Sequence, residues 1–434
     1  MALEEGGVPT VAVHTDVFAR LARSVARVNG MPTTRQAFVP QPVVGRSPGD
    51  LRGYIEGVDP VNGRPFMQEV IEGLTRPLDD DLTGVSFDRS TPRLLEPDTE
   101  DNLQRIFVES NWTDFLPVVL PTEERVEAML AGTSHAPDEV VGRLRPTVYR
   151  EFWEFTVEKV AVNAVMAGAR PEYLPVILAM AASGVTARSS STTSFSGVAL
   201  VNGPIRNEIG MSAGIGAMGP YNHANATIGR AYGLLSQNLQ GGSVPGETYM
   251  GSQGNPLSYS FAFPENEEES PWEPFHVQHG FDAATSTVSL FLGGWYTLFG
   301  NGPRETWQER FRHALEACDP FIAPIVVLDP LVARGFVERG FDTKQKLIDW
   351  LAENGRLPAR EYWDNIWMQT LARPWGLSGI EPFASHLKAD PDELVQIFQP
   401  KDISVIVVGG GTQPTWKMVA GSLRGNIVSV DDWR

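Results

Sequence analysis

The sequence holds a single cysteine, Cys318, in 434 residues. A lone thiol excludes any disulfide within the chain and any zinc knuckle built on cysteines, so thiol chemistry rests on Cys318 or comes from another molecule. Basic residues are also scarce: 35 Lys and Arg stand against 53 Asp and Glu, a formal net charge of −18. That charge repels phosphate backbones and anionic lipid, and no Lys/Arg cluster is expected to reverse it, so neither nucleic acid nor membrane is an expected partner. No apolar run approaches the roughly 18 residues of a membrane-spanning helix. The acidic start MALEEGGVPTV lacks the basic segment of a secretory signal, and a cytoplasmic protein is expected. With 42% hydrophobic and 20% charged residues, the chain suits a globular protein of two or three domains.

VPTVAVH is apolar and β-branched, and Val17, Phe18, Leu21, Val25 and Val28 then recur at helical spacing up to Gly30. RQAFVP supplies a second strand, giving half of a parallel α/β unit. Parallel strands need neighbours, and a strand beginning at residue 8 has none upstream, so another molecule is expected to complete this sheet; later strands of the chain are the alternative. Residues 43–114 are rich in Pro, Gly, Asp and Arg and read as a loop-rich connector. In PTEERVEAMLAGT, Thr122 caps a helix that stops at Gly132, and two apolar helices follow, one ending at Gly168 and one opened by Pro171. Strands are expected over STTSFSGVALVNGP, LSYSFAF, STVSLFLGGW, IAPIVVL and a last ISVIVV, with a helix over RETWQERFRHALEA. Asp329-Pro330, Asp342 with Gln345, and Asp390-Pro391 with Glu393 read as helix starts. No internal repeat is visible. The fold class is α/β, with layered, mostly parallel or mixed sheets and flanking helices, divided into a partial α/β unit with connector over 1–95 and a larger α/β domain over 96–434.

GMSAGIGAMGPYNHANATIGR places Gly214, Gly216 and Gly219 before a helix starting near Asn222. Such glycines let a ligand approach the backbone, and a helix start offers unpaired N–H groups to an anion, with Asn222, His223 and Asn225 in the first turn. The competing reading is a tight glycine-packed crossing with Asn222 as a simple N-cap. In PENEEESPWEPFHVQHGF, His276 and His279 follow four glutamates, and with Glu265 they form a candidate set for a divalent metal, zinc or iron. The competing readings there are a solvated glutamate loop and a general acid/base role for His276. ARSSSTTS, residues 187–194, reads as a polar loop, and Cys318 as a buried structural residue.

The strings LEEGGVPTVAVHTDVFARLARSVARVNGMPTTRQAFVPQPV, VEKVAVNAVMAGARPEYLPVILA and VNGPIRNEIGMSAGIGAMGPYNHANATIGR resemble the UGSC-type selenoproteins and their cysteine homologues. The first is similar to the latter half of the UGSC domain and the others to its large companion domain. The Sec/Cys-Gly-Ser-Cys motif itself is missing, and Ala169 stands where relatives carry cysteine. The resemblance implies redox or carbon–sulfur chemistry, of oxidoreductase or lyase class, with the thiol supplied by a small partner subunit carrying a Cys-Gly-Ser-Cys-like motif. The expectation is therefore the large subunit of a hetero-oligomer acting on a small anionic substrate. His223 and His276 are its acid/base candidates, Asn222 and Asn225 orient the substrate, and Arg206 or Arg230 pairs with its charge. The rivals are a metal-dependent hydrolase or lyase using His276, His279 and Glu265, and a non-catalytic scaffold or regulatory subunit.

Overall fold

The computed structural model describes residues 2–28, 30–77, 92–144, 153–187, 194–239, 249–255, 261–293 and 297–434. At the amino end β1 (Ala12–Thr15) and β2 (Gln36–Val39) pair in parallel across the Ala19–Val28 helix, as the apolar spacing predicts. They form a two-stranded sheet that no other described strand joins. The expected loop-rich connector is corrected: it holds the helices Pro48–Glu56, Phe66–Thr75 and Glu100–Glu109. Ser47 and Asp50 form a capping box that starts the first. Phe66 and Val70 of the second pack on Ala37 and Val39 of β2, so this helix completes the core of the amino-terminal unit. Short helices built on weak periodicity depend on such tertiary contacts, which local propensity does not carry.

The larger unit takes Phe107 of the Glu100–Glu109 helix into its core and continues with the Thr122-capped helix Glu123–Leu130 and the hairpin β3 (Val140–Leu144) and β4 (Trp153–Thr156). Two mixed sheets follow. The first comprises β5 (Ser196–Asn202), β6 (Ala262–Pro264), β7 (Thr287–Gly293) and β14 (Ser422–Ser429). The second comprises β8 (Thr297–Asn301), β9 (Pro324–Leu328), β12 (Ser404–Val407) and β13 (Thr415–Ala420), and a small hairpin, β10 (Arg356–Pro358) with β11 (Leu394–Gln396), lies outside both. Alternate residues of each strand serve two cores, because side chains along a strand point to opposite faces. Val198, Leu200 and Phe291 meet Ile325, Val327, Ile406 and Val419 between the sheets. Ala199, Val201 and Leu290 pack outward on the helices Val157–Met166, Leu174–Ala182 and His223–Leu239. Val326, Leu328, Val405 and Met418 pack on Trp307–Glu316, Pro330–Val337 and Lys344–Asn354. The layers thus run helix, sheet, sheet, helix.

The sheets reveal a repeat that no residue string betrays. Their orders, β14-β7-β5-β6 and β8-β13-β9-β12, are the same plan. In each half the first strand pairs in parallel with the second and antiparallel with the third: β5 with β6 and β7, then β9 with β12 and β13. The fourth strand crosses over, β8 to β13 and β14 to β7, so each half lends an edge strand to the other. ISVIVV is accordingly not the last strand.

Three further expectations shift. Thr343, not Asp342, caps the Lys344–Asn354 helix, its side chain accepting from the Lys346 amide. Residues 390–393 make a turn, in which Asp390 N donates to Glu393, and run into β11 because the chain there pairs with β10. Residues 188–193 of the polar loop, the first four residues of LSYSFAF and the Gly294-Trp295 end of STVSLFLGGW lie outside the described residues. No helix among the described residues is long and apolar enough to cross a membrane.

The C-terminal turn is tied to residues 133–139. Thr133 Oγ1 donates to the Trp433 carbonyl at 2.8 Å, and His135 sits 2.9 Å from Glu139 through Nδ1 and 2.8 Å from the Asp432 carbonyl through Nε2. With acceptors on both nitrogens the charged ring is favoured, and Glu139 above all raises the His135 pKa over the ordinary 6.5. A raised folded-state pKa contributes stability that is fully present below 6.5 and lost as pH rises through the folded value. Amide exchange across 431–433 is expected to lose protection over that rise, and His135→Ala to remove the pH dependence. Protection that is flat with pH in the parent protein would exclude this anchor.

Candidate functional site

The carboxyl ends of β5, β6 and β12 converge on one knot. Glu265, just past β6, donates its N–H to Val201 and so touches the first sheet, while Asn266 donates to the Val407 carbonyl of the second. Glu265 is fully buried, yet its carboxylate is saturated: Oε1 lies 2.6 Å from the buried Lys344 Nζ, and Oε2 accepts from Asn202 at 2.7 Å and from the Phe275 amide at 2.6 Å. A buried carboxylate persists only when paired and bonded in this way. Around it Arg206, buried on the short Ile205–Glu208 helix, forks onto Glu268 at 3.1 and 3.2 Å and pairs with Glu267 at 2.9 Å. Its Nε and Nη1 also donate to the Gly203 and Glu265 carbonyls. Arg206 holds the Glu268 carboxyl at a pKa of about 2.

This arrangement redistributes the expected roles. Arg206 is consumed by glutamates of its own chain rather than held for a substrate. His276 is completely buried, 3.9 Å from Glu267, and neither ring nitrogen finds a hydrogen-bond partner among the described residues. In this conformation it touches no molecule arriving from solvent. The His276, His279 and Glu265 set does not assemble: Lys344 and Asn202 occupy the Glu265 oxygens, and His279 Nδ1 is 2.9 Å from the Phe275 carbonyl. Among the described residues no three His, Cys, Asp or Glu side chains are grouped to hold a metal ion.

The glycine loop packs beside the knot. Gly409 donates to the Ala213 carbonyl at 2.8 Å, and a Cβ on Gly410 would lie 2.5 Å from Ile215. Gly216, at φ +76°, and Gly219 are covered by the Tyr221 ring, 2.9 and 2.7 Å from where a Cβ would stand, while Gly214 faces open space. Asn222 Oδ1 caps the helix by accepting from the Asn225 amide, and its Nδ2 binds the Gly210 carbonyl. Asn225 is buried and spends its amide on the Ser212 and Ala217 carbonyls. Both asparagines therefore stitch the loop, and the tight crossing is the reading this geometry favours. Arg230 lies elsewhere, forked onto the buried Asp114 at 3.0 Å through two nitrogens.

His223 remains accessible. It is exposed at the first position of its helix, with Nδ1 3.4 Å from the hydroxyl of Tyr173. Burial raises the Tyr173 pKa, which keeps that phenol protonated and able to donate. Tyr173 and Lys344 escape sequence reasoning because their partners lie 50 and 79 residues away, with no spacing to mark them. Cys318 is buried, its thiol 3.3 Å from the Ala314 carbonyl.

Among known families, the UGSC family matches residues 1–61, a stretch holding β1, the Ala19–Val28 helix, β2 and the Pro48–Glu56 helix. No curated protein matches the chain.

Proposed function

We propose, from the UGSC likeness of its first 61 residues, that this chain is the large subunit of a heteromeric enzyme acting on a small anionic substrate. A small partner carrying a Cys-Gly-Ser-Cys-like motif adds a strand to β1 and supplies the thiol for redox or carbon–sulfur chemistry. Cys318, being buried, is not available for that role. His223, with the buried Tyr173 hydroxyl beside its Nδ1, serves as the accessible acid/base group.

The observation that carries this reading is the outer edge of β1. Ala12 donates to the Arg35 carbonyl, so residues 12 and 14 turn their backbone groups toward β2 and residues 13 and 15 turn theirs away. No described strand meets those outward groups, and Val13 is 52% exposed. The strand Ala12–Thr15 carries no lysine or proline to blunt the edge, which leaves it open to strand addition.

Val13→Pro is the test. It removes an outward N–H without touching the β1–β2 ladder, a position where edge strands tolerate proline. Co-expression with the small partner is expected to yield a complex in the parent protein and none in V13P, at unchanged circular dichroism. Cysteine-to-serine exchange in the partner motif is expected to abolish turnover. Turnover by the isolated large chain, or an intact complex in V13P, would overturn the reading.

A further inference from the structure

Between Asp16 and Asp50 the chain carries five arginines, at positions 20, 23, 27, 35 and 46, and no acidic residue, in a protein of net charge −18. The stretch 17–49 is thus a local reversal of charge, against the expectation that no Lys/Arg cluster reverses the overall sign. Arg35 spends its guanidinium on the Gly73 and Pro77 carbonyls. Arg23 and Arg27 stand one helical turn apart and face a cleft of about 360 Å³, walled by Thr34, Gln36, Phe38 and Asn62. No carboxylate among the described residues pairs with either arginine, and Arg23 lies 5.6 Å above the Phe38 ring.

The walls are held by their own bonds. Asp59, fully buried, accepts from the Phe38 amide at 2.7 Å, from the Val61 and Asn62 amides at 2.8 and 2.9 Å, and from Asn62 Nδ2 at 3.1 Å. Four neutral donors hold that carboxylate, which positions Phe38 and Asn62 and forms no ion pair with either arginine. Gln36 Nε2 donates to the Ala22 carbonyl at 3.2 Å and Thr34 Oγ1 to the Met31 carbonyl at 2.8 Å, which leaves oxygens of both as acceptors. The cleft therefore offers two guanidinium forks, an aromatic floor and neutral acceptors, in a volume suited to a small molecule.

We infer that this cleft is a binding site for a small carboxylate. Planar forks match a carboxylate's two oxygens, and the Phe38 floor suits the carbon body attached to it. A phosphate is favoured less, because among the described residues no glycine-rich turn presents backbone N–H groups to the cleft. Every wall of the site comes from this chain, so it stands whether or not a second chain pairs with β1.

Titration calorimetry of the full chain with succinate tests the inference, with inorganic phosphate as the second arm. Saturable succinate binding is expected, weakened about tenfold or more in Arg23→Gln and in Arg27→Gln through loss of a charge-assisted bond. Arg46→Gln is expected to leave binding unchanged, and all three variants to retain the parent melting temperature. Absence of saturable succinate binding, affinity unaffected by R23Q and R27Q, or saturation by phosphate alone would each overturn it.

Discussion

Replacing Lys344 by methionine is expected to destabilise the larger unit by about 3–5 kcal/mol, the loss typical of a buried ion pair stripped of one member. The ammonium and the Glu265 carboxylate are both wholly buried and 2.6 Å apart. Methionine fills the space but leaves the carboxylate with only its bonds to Asn202, Phe275 and Val407. Adding Glu265→Gln is expected to restore at least about half of the loss, since the charge is then gone while an acceptor remains. Equilibrium urea unfolding followed by tryptophan fluorescence measures both. A single variant within about 1 kcal/mol of the parent protein would show that the knot between the sheets is not held by this pair.

Arg230→Ala carries the second large effect, about 3 kcal/mol, and it separates a clamp from a substrate ligand. The guanidinium forks onto Asp114, whose side chain is 1% exposed, and adds a 2.8 Å bond to the Pro117 carbonyl. Gln237 and Asn238 of the same helix hold the Asn111 and Trp112 carbonyls, so residues 111–117 are laid along it. Removing Arg230 strands the buried Asp114 charge and is expected to speed amide exchange through this segment. Arg230→Lys is expected to recover little, because an ammonium cannot reproduce the fork. Unchanged stability, with substrate affinity lost, would return Arg230 to the substrate role that its place in the glycine-region sequence suggests.

Much of the framework was legible. β5, β9 and β12 are short apolar runs, and Thr122 and Pro171 mark helix starts where the backbone needs a side-chain acceptor or lacks use for an N–H. The site was legible only as a set of nearby letters. Asn222 and Asn225 have the chemistry to hold a substrate, and only the positions of Gly210, Ser212 and Ala217 show that their amides are already spent. The Asp390-Pro391-Glu393 string has the composition of a cap, yet pairing with β10 draws the residues after it into a strand. β13 and β14 leave no such mark in the sequence, because each is stabilised by a sheet, and β14 by the sheet of the other half.

The sequence by itself determined the α/β class, the amino-terminal strand–helix–strand unit, the UGSC likeness and the unavailability of any internal disulfide. All of these depend on residue identity or on periods of two to four residues, over which backbone geometry acts directly. Tertiary structure alone decided the exchange of edge strands between the halves, the Glu265–Lys344 pair, the burial of His276 and the open cleft before Arg23 and Arg27. Each is a relation between side chains or strands far apart in the chain. Burial and charge pairing act through space once packing has brought the groups together, and they leave no spacing behind in the order of residues.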